Sequence, residues 1–146
     1  MFGQLRNWLS TQLKRKTRCK QLERFICFLR LSQICSEQQV QELLGTFENQ
    51  RQEILSDEDG LAQFCSTLVS ANAATEWQCN KLKVGKWKGF YLDDYLLLEQ
   101  VGKDYEYAYY RARDIRDGSI VRLVVTPMNR TKGPRIIEYR VERSFE

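Results

Sequence analysis

Apolar side chains return every three or four residues through roughly the first ninety positions of this 146-residue chain. Phe2, Leu5, Leu9 and Leu13 share one helical face, with Trp8 beside it. Leu22, Phe25, Ile26 and Leu29 repeat the i, i+3, i+4, i+7 pattern of an amphipathic helix. Ser36 followed by Gln39 makes a capping box ahead of Val40, Leu43, Leu44 and Phe47. The polar stretch "SDEDG" reads as a break, and Leu61, Phe64, Cys65 and Leu68 form the next stripe. Thr75 and Gln78 make a second capping box, opening a short helix with Trp77 and Leu82.

After Gly85 the texture changes. "KVGKWKGFYLDDY" reads as a glycine- and aromatic-bearing connector, followed by alternating strand material. Three strands are predicted, over Tyr95 to Val101, Tyr107 to Arg113 and Ile120 to Thr126, with Asp117-Gly118 as the turn between the last two. The tail "GPRIIEYRVERSFE" fits two patterns. Ile137, Tyr139 and Val141 alternate as in a strand, while Ile137, Val141 and Phe145 are spaced for a helix. The expected architecture is α+β: a helical module over 1–88 and a small antiparallel β unit over 89–146.

Composition narrows the chemistry. Apolar residues make up 42% of the chain and charged residues 29%, which suits a soluble domain with a packed core. The apolar run from Phe25 to Leu29 is too short to cross a bilayer, and no secretory leader is expected after the first methionine. The five cysteines, at 19, 27, 35, 65 and 79, follow no pairing pattern. Cys27, Cys35 and Cys65 are expected on apolar helix faces as small hydrophobes, which favours a reducing, cytoplasmic setting. Histidine is absent, which excludes Ser-His and Cys-His nucleophile activation and histidine general base chemistry. Adjacent acids such as Asp93-Asp94 read as caps or solvated charge, "DEDG" lacks the length and terminal glutamate of a calcium loop, and no metal or cofactor is expected.

The net charge of +4 conceals an asymmetry. Residues 1–30 carry eight basic and one acidic residue, net +7, whereas residues 31–60 carry one and seven, net −6. Residues 61–90 give +3, and residues 91–146 balance. An anionic partner is therefore expected first at Arg6, Lys14, Arg15, Lys16, Arg18 and Lys20, with Arg24 adjoining. "NRTKGPR" adds Arg130, Lys132 and Arg135 as a second cationic segment. Three readings of the first cluster are open: a solvated helix face, a phosphate-contacting patch on RNA, or a membrane-surface helix.

The segments "YLLLEQVG", "AYYRARD" and "DGSIVRLVV" resemble the first three strands of the small lobe of serine/threonine protein kinases. The likeness is to the planctomycete-type bacterial ones, in which a helical leader runs directly into that lobe, and it spans about Asp57 to Val125. The resemblance implies a glycine loop of pattern Gly-x-Gly-x-x-Gly, and on it lie Gly102, Asp104 and Tyr107. Such a loop works because glycines let backbone amides close over phosphates, so an aspartate and a tyrosine there argue against a triphosphate. Val124 stands at the place of the ATP-positioning lysine, with Arg122 on the same strand face, and Glu142 falls where the resemblance puts a regulatory-helix glutamate. The chain contains neither a His-Arg-Asp catalytic loop nor an Asp-Phe-Gly metal loop, so phosphoryl transfer is not expected.

Tyr105, Tyr107 and Tyr109 are expected to alternate along one strand face, with Tyr110 on the other. Such a row can be the half-buried face of a small sheet, a protein contact surface, or a platform for single-stranded bases. Trp8 joins them as a candidate protein-interface residue. The expectation is a non-catalytic accessory subunit, without a small-molecule substrate, that docks on a larger protein or ribonucleoprotein assembly. An RNA-binding accessory role, for example on a ribosome, is the alternative, and a regulator of a protein kinase follows from the resemblance alone.

Overall fold

A computed structural model of the chain describes residues 20–50, 57–126 and 138–143. Helix α1, Lys20–Ser32, buries the stripe Leu22, Phe25, Ile26 and Leu29. It ends at Gln33, whose φ of 59° turns the chain out of the helix. Helix α2, Glu37–Gln50, starts on the predicted capping box: the Gln39 amide donates to Ser36 Oγ and the Ser36 amide to Gln39 Oε1. Helix α3, Asp57–Ser70, begins inside the stretch expected as a break. Acidic residue types favour a first helical turn, so what reads as an interruption suits a helix start. Helix α4, Glu76–Lys83, opens on the second capping box.

Phe64, fully buried on α3, is met edge-on by Phe25 of α1 at 6.1 Å and by Phe47 of α2 at 5.5 Å. Val40, Leu68 and Leu82 complete this helical core, each fully buried. Cys65 and Cys79 are buried as well. Cys27 faces solvent from α1, and Cys35 lies buried in the connection between α1 and α2, where its thiol donates to the Ala73 carbonyl.

The described strands form one curled antiparallel sheet in chain order: β1 Tyr91–Leu92, β2 Tyr95–Lys103, β3 Ala108–Asp114, β4 Ile120–Val125 and β5 Tyr139–Glu142. The arrangement is α+β, with the helices N-terminal to the sheet. Phe90, Leu96 and Leu98 pack into the helical core, so apolar contact runs across the change of texture near residue 88. The other face gathers Tyr95, Leu97, Ala112, Val121 and Leu123 into a second cluster.

Two details fix how the halves meet. Strand β2 is irregular between Leu97 and Glu99 and again between Gln100 and Gly102. At the first irregularity α4 closes the edge of β2. Gln78 Nε2 donates to the Leu97 carbonyl at 2.8 Å, and Thr75 Oγ1 donates to the Leu98 carbonyl. Both residues also cap α4, since the Thr75 amide donates to Gln78 Oε1 at 2.9 Å and the Gln78 amide to Thr75 Oγ1 at 3.1 Å. The capping box is thus also the joint between helix and sheet. Beside it, Trp77 stands edge-on to Phe90 at 5.9 Å and to Tyr110 at 6.0 Å, contacting both clusters.

The tail resolves in favour of a strand over its described part, because Tyr139 pairs with Val125 and Val141 with Leu123. Glu142 therefore lies on β5 opposite Arg122. The β3–β4 connection is longer than a two-residue turn. Asp114 accepts a hydrogen bond from the Arg116 amide and so starts the loop early, while Gly118 (φ 77°) closes it.

Candidate anion-facing surface and hairpin tip

Lys20, the first residue of α1, is exposed. Arg6, Trp8, Lys14, Arg15, Lys16, Arg18, Arg130, Lys132 and Arg135 lie outside the described residues.

The hairpin that the opening residues of β3 form with β2 differs from the expected row of tyrosines. Tyr105 and Tyr107 belong to the turn rather than to the strand, and Tyr105 projects fully into solvent. The cause is Asp104. Its Oδ1 accepts from the amides of Glu106 at 2.8 Å and Tyr107 at 2.7 Å, and its Oδ2 accepts from the Tyr109 hydroxyl at 2.7 Å. The amides that a phosphate loop would offer an anion are thus taken by the protein's own carboxylate. The Tyr109 hydroxyl, followed by these two amides, holds the Asp104 carboxyl below its ordinary range, and the carboxylate in turn raises the Tyr109 phenol. Arg122 lies over the Tyr109 ring at 4.9 Å, with Glu142 at 3.7 Å from its Nε.

At the far end of β3 stands a buried polar node. The Asp114 carboxylate, almost wholly inaccessible, accepts from Arg116 Nε at 3.0 Å, Arg116 Nη2 at 2.9 Å and Arg143 Nη2 at 2.9 Å. Both arginines also reach the Tyr95 hydroxyl. Chiefly the Arg116 hydrogen bonds hold this carboxyl far below the usual carboxylate range. Every member is satisfied, so the node fastens β2, β3 and the end of β5 together.

A different set of charges is unattached. Helix α4 ends in the lysine-rich run "KLKVGKWK", where Gly85 (φ 81°) lets the chain reverse. The Gly85 amide donates to the Leu82 carbonyl and the Lys86 amide to the Lys81 carbonyl. A Cβ added to Gly85 would lie 3.5 Å from the Phe28 ring of α1, so this turn rests on α1. Arg24 of α1 and Lys83 of α4 consequently border one cleft of ≈ 230 Å³, together with Gln21 and Phe28. Lys81 lies over the Trp77 ring and Lys88 over the Trp87 ring. Among the described residues, Lys20, Arg24, Lys81, Lys83, Lys86, Lys88, Lys103 and Arg113 are in no ion pair. By contrast Arg30, Arg111, Arg116, Arg122, Arg140 and Arg143 each meet a carboxylate.

Four lysines in eight residues are a visible signal in the sequence, but only the fold shows that the turn comes back against α1. Compared with protein-family models, curated proteins and solved structures, the chain matches none.

Proposed function

We propose that this chain is a non-catalytic accessory module that docks on the RNA-bearing surface of a larger ribonucleoprotein assembly. The observation that carries the reading is the run of cations outside ion pairs at the end of α4 and in the turn after it, Lys81, Lys83, Lys86 and Lys88, of which Lys83 shares a cleft with Arg24 of α1, itself close in sequence to Lys20 and the basic stretch that precedes α1. Unpaired, exposed cations held on rigid elements can exchange condensed counterions for direct phosphate contacts. Six arginines elsewhere meet carboxylates, while Lys103 and Arg113 on the sheet do not, so the α4 turn and its neighbour Arg24 hold most of the described cations outside ion pairs. The occupied amides at Asp104 support a binding rather than a nucleotide-handling role.

Fluorescence anisotropy of the full chain on a structured RNA hairpin, between about 50 and 200 mM salt, tests this. Binding should weaken steeply with salt, and K83A/K86A/K88A should reduce the log–log slope by about 2. Salt-insensitive binding, or a triple variant indistinguishable from the parent, would sink the proposal.

A second reading rests on the hairpin tip. Tyr105 is wholly exposed, and Tyr107 in the same turn is exposed too, a pairing suited to a protein contact. Y105A should then release a protein partner in pull-downs at high salt while leaving RNA binding unchanged.

A further inference from the structure

Cys65 on α3 and Cys79 on α4 lie side by side at the floor of a cleft of ≈ 310 Å³, walled by Ser66, Val69, Glu76 and Lys83. They are 6% and 2% exposed, buried although both line the cleft. The two side chains are close enough that each shifts the other's ionisation. Cys79 and Lys83 are one helical turn apart on α4, which places an ammonium at the rim of the same cleft. A cysteine acting as a small hydrophobe needs no second sulfur beside it, nor an opening to solvent. The two remaining described thiols lack this setting. Cys27 is exposed on α1, and Cys35 is engaged with the Ala73 carbonyl, its burial raising the thiol to about 11.

We propose that Cys65 and Cys79 are a two-electron redox site for small peroxides, closing to a disulfide that staples α3 to α4. The Cys65 thiolate attacks one peroxide oxygen and the O–O bond breaks. With hydrogen peroxide the second oxygen leaves as water after taking a proton, and Cys65 becomes a sulfenic acid. The Cys79 sulfur then attacks the sulfenic sulfur; the S–O bond breaks, a second water departs and the S–S bond forms. Two thiols are oxidised and one peroxide is reduced to two waters. The Cys79 hydrogen bond first, and Lys83 after it, draw Cys65 toward its thiolate against the opposing effect of burial. Cys79 gives up its proton as it attacks, and that proton leaves with the second water.

The test uses the reduced full chain, titrated with hydrogen peroxide under native conditions, alkylated, digested and mapped by mass spectrometry. The expected result is a peptide pair joined through Cys65 and Cys79, lighter by two hydrogens, with Cys35 still alkylatable. C79S should stop at a sulfenic acid on Cys65, trapped by dimedone, and K83M should slow that trapping several-fold. Should C79S fail to fold, the wild-type map decides alone. Free Cys65 and Cys79 after peroxide excess, or oxidation that begins at Cys19 or Cys27, would overturn the assignment.

Discussion

Asp114 carries more of the sheet than its place at a strand end suggests. One carboxylate takes four hydrogen bonds from Arg116 and Arg143, and the second arginine lies 29 residues further along the chain. Because these contacts favour the ionised carboxylate, the folded chain binds fewer protons than the unfolded one once the pH approaches the ordinary aspartate value, about 3.9. The stabilisation is therefore complete above that value and drains away as the pH falls further toward the folded one. Asp114→Asn should lower Tm at pH 7 by several degrees, and its melting curve should approach that of the parent below about pH 4. Thermal melts from neutral to strongly acid buffer read both effects; equal Tm at pH 7 would mean the node adds nothing. None of this is visible in "ARDIRDG" itself, where Asp114 looks like any strand-end aspartate, since its significance depends on a partner fixed by tertiary structure.

At the scale of elements, local chemistry was legible and long-range pairing was not. The boxes at Ser36 and Thr75 announce the starts of α2 and α4 because capping is decided within four residues. The tail was ambiguous for the opposite reason: Ile137 and Val141 suit either period, and only the free edge of β4 selects the strand. Asp104 belongs to the same lesson. Its own two-residue reach to backbone amides pulls Tyr105 and Tyr107 into a turn, a local competition that alternation alone does not reveal. The Thr75–Gln78 box combines both kinds of information, readable as a helix start yet silent about the sheet carbonyls it also serves. Replacing Gln78 by Ala leaves the Thr75 amide and the buried Leu97 carbonyl without partners, and should cost about 2–4 kcal/mol in denaturant unfolding. Thr75→Ser retains the hydroxyl and should stay within about 1 kcal/mol of the parent. A Gln78→Ala loss no larger than that of Thr75→Ser would show that the joint to β2 is dispensable.

For the whole molecule, the shift of composition near residue 88 is a change of secondary structure rather than a gap in packing, for Phe90, Leu96 and Leu98 belong to the helical core. Helices and sheet should therefore unfold in one transition, with tryptophan fluorescence, which includes Trp77 at the junction, superimposing on far-ultraviolet circular dichroism. Two separated transitions would count against a shared core. The molecule's charge is divided as firmly as its core is shared. The sequence locates the basic beginning and the acidic middle, but folding brings Lys83 of α4 to one cleft with Arg24 and leaves both without ion-pair partners. The closure of β2 by α4 has a bearing on solubility too. Leu97 and Leu98 are the most apolar part of a strand whose outward carbonyls are satisfied by a single short helix. Whatever lifts that helix converts a protected border into a template for another chain, so weakened variants should reveal themselves by self-association before they lose secondary structure.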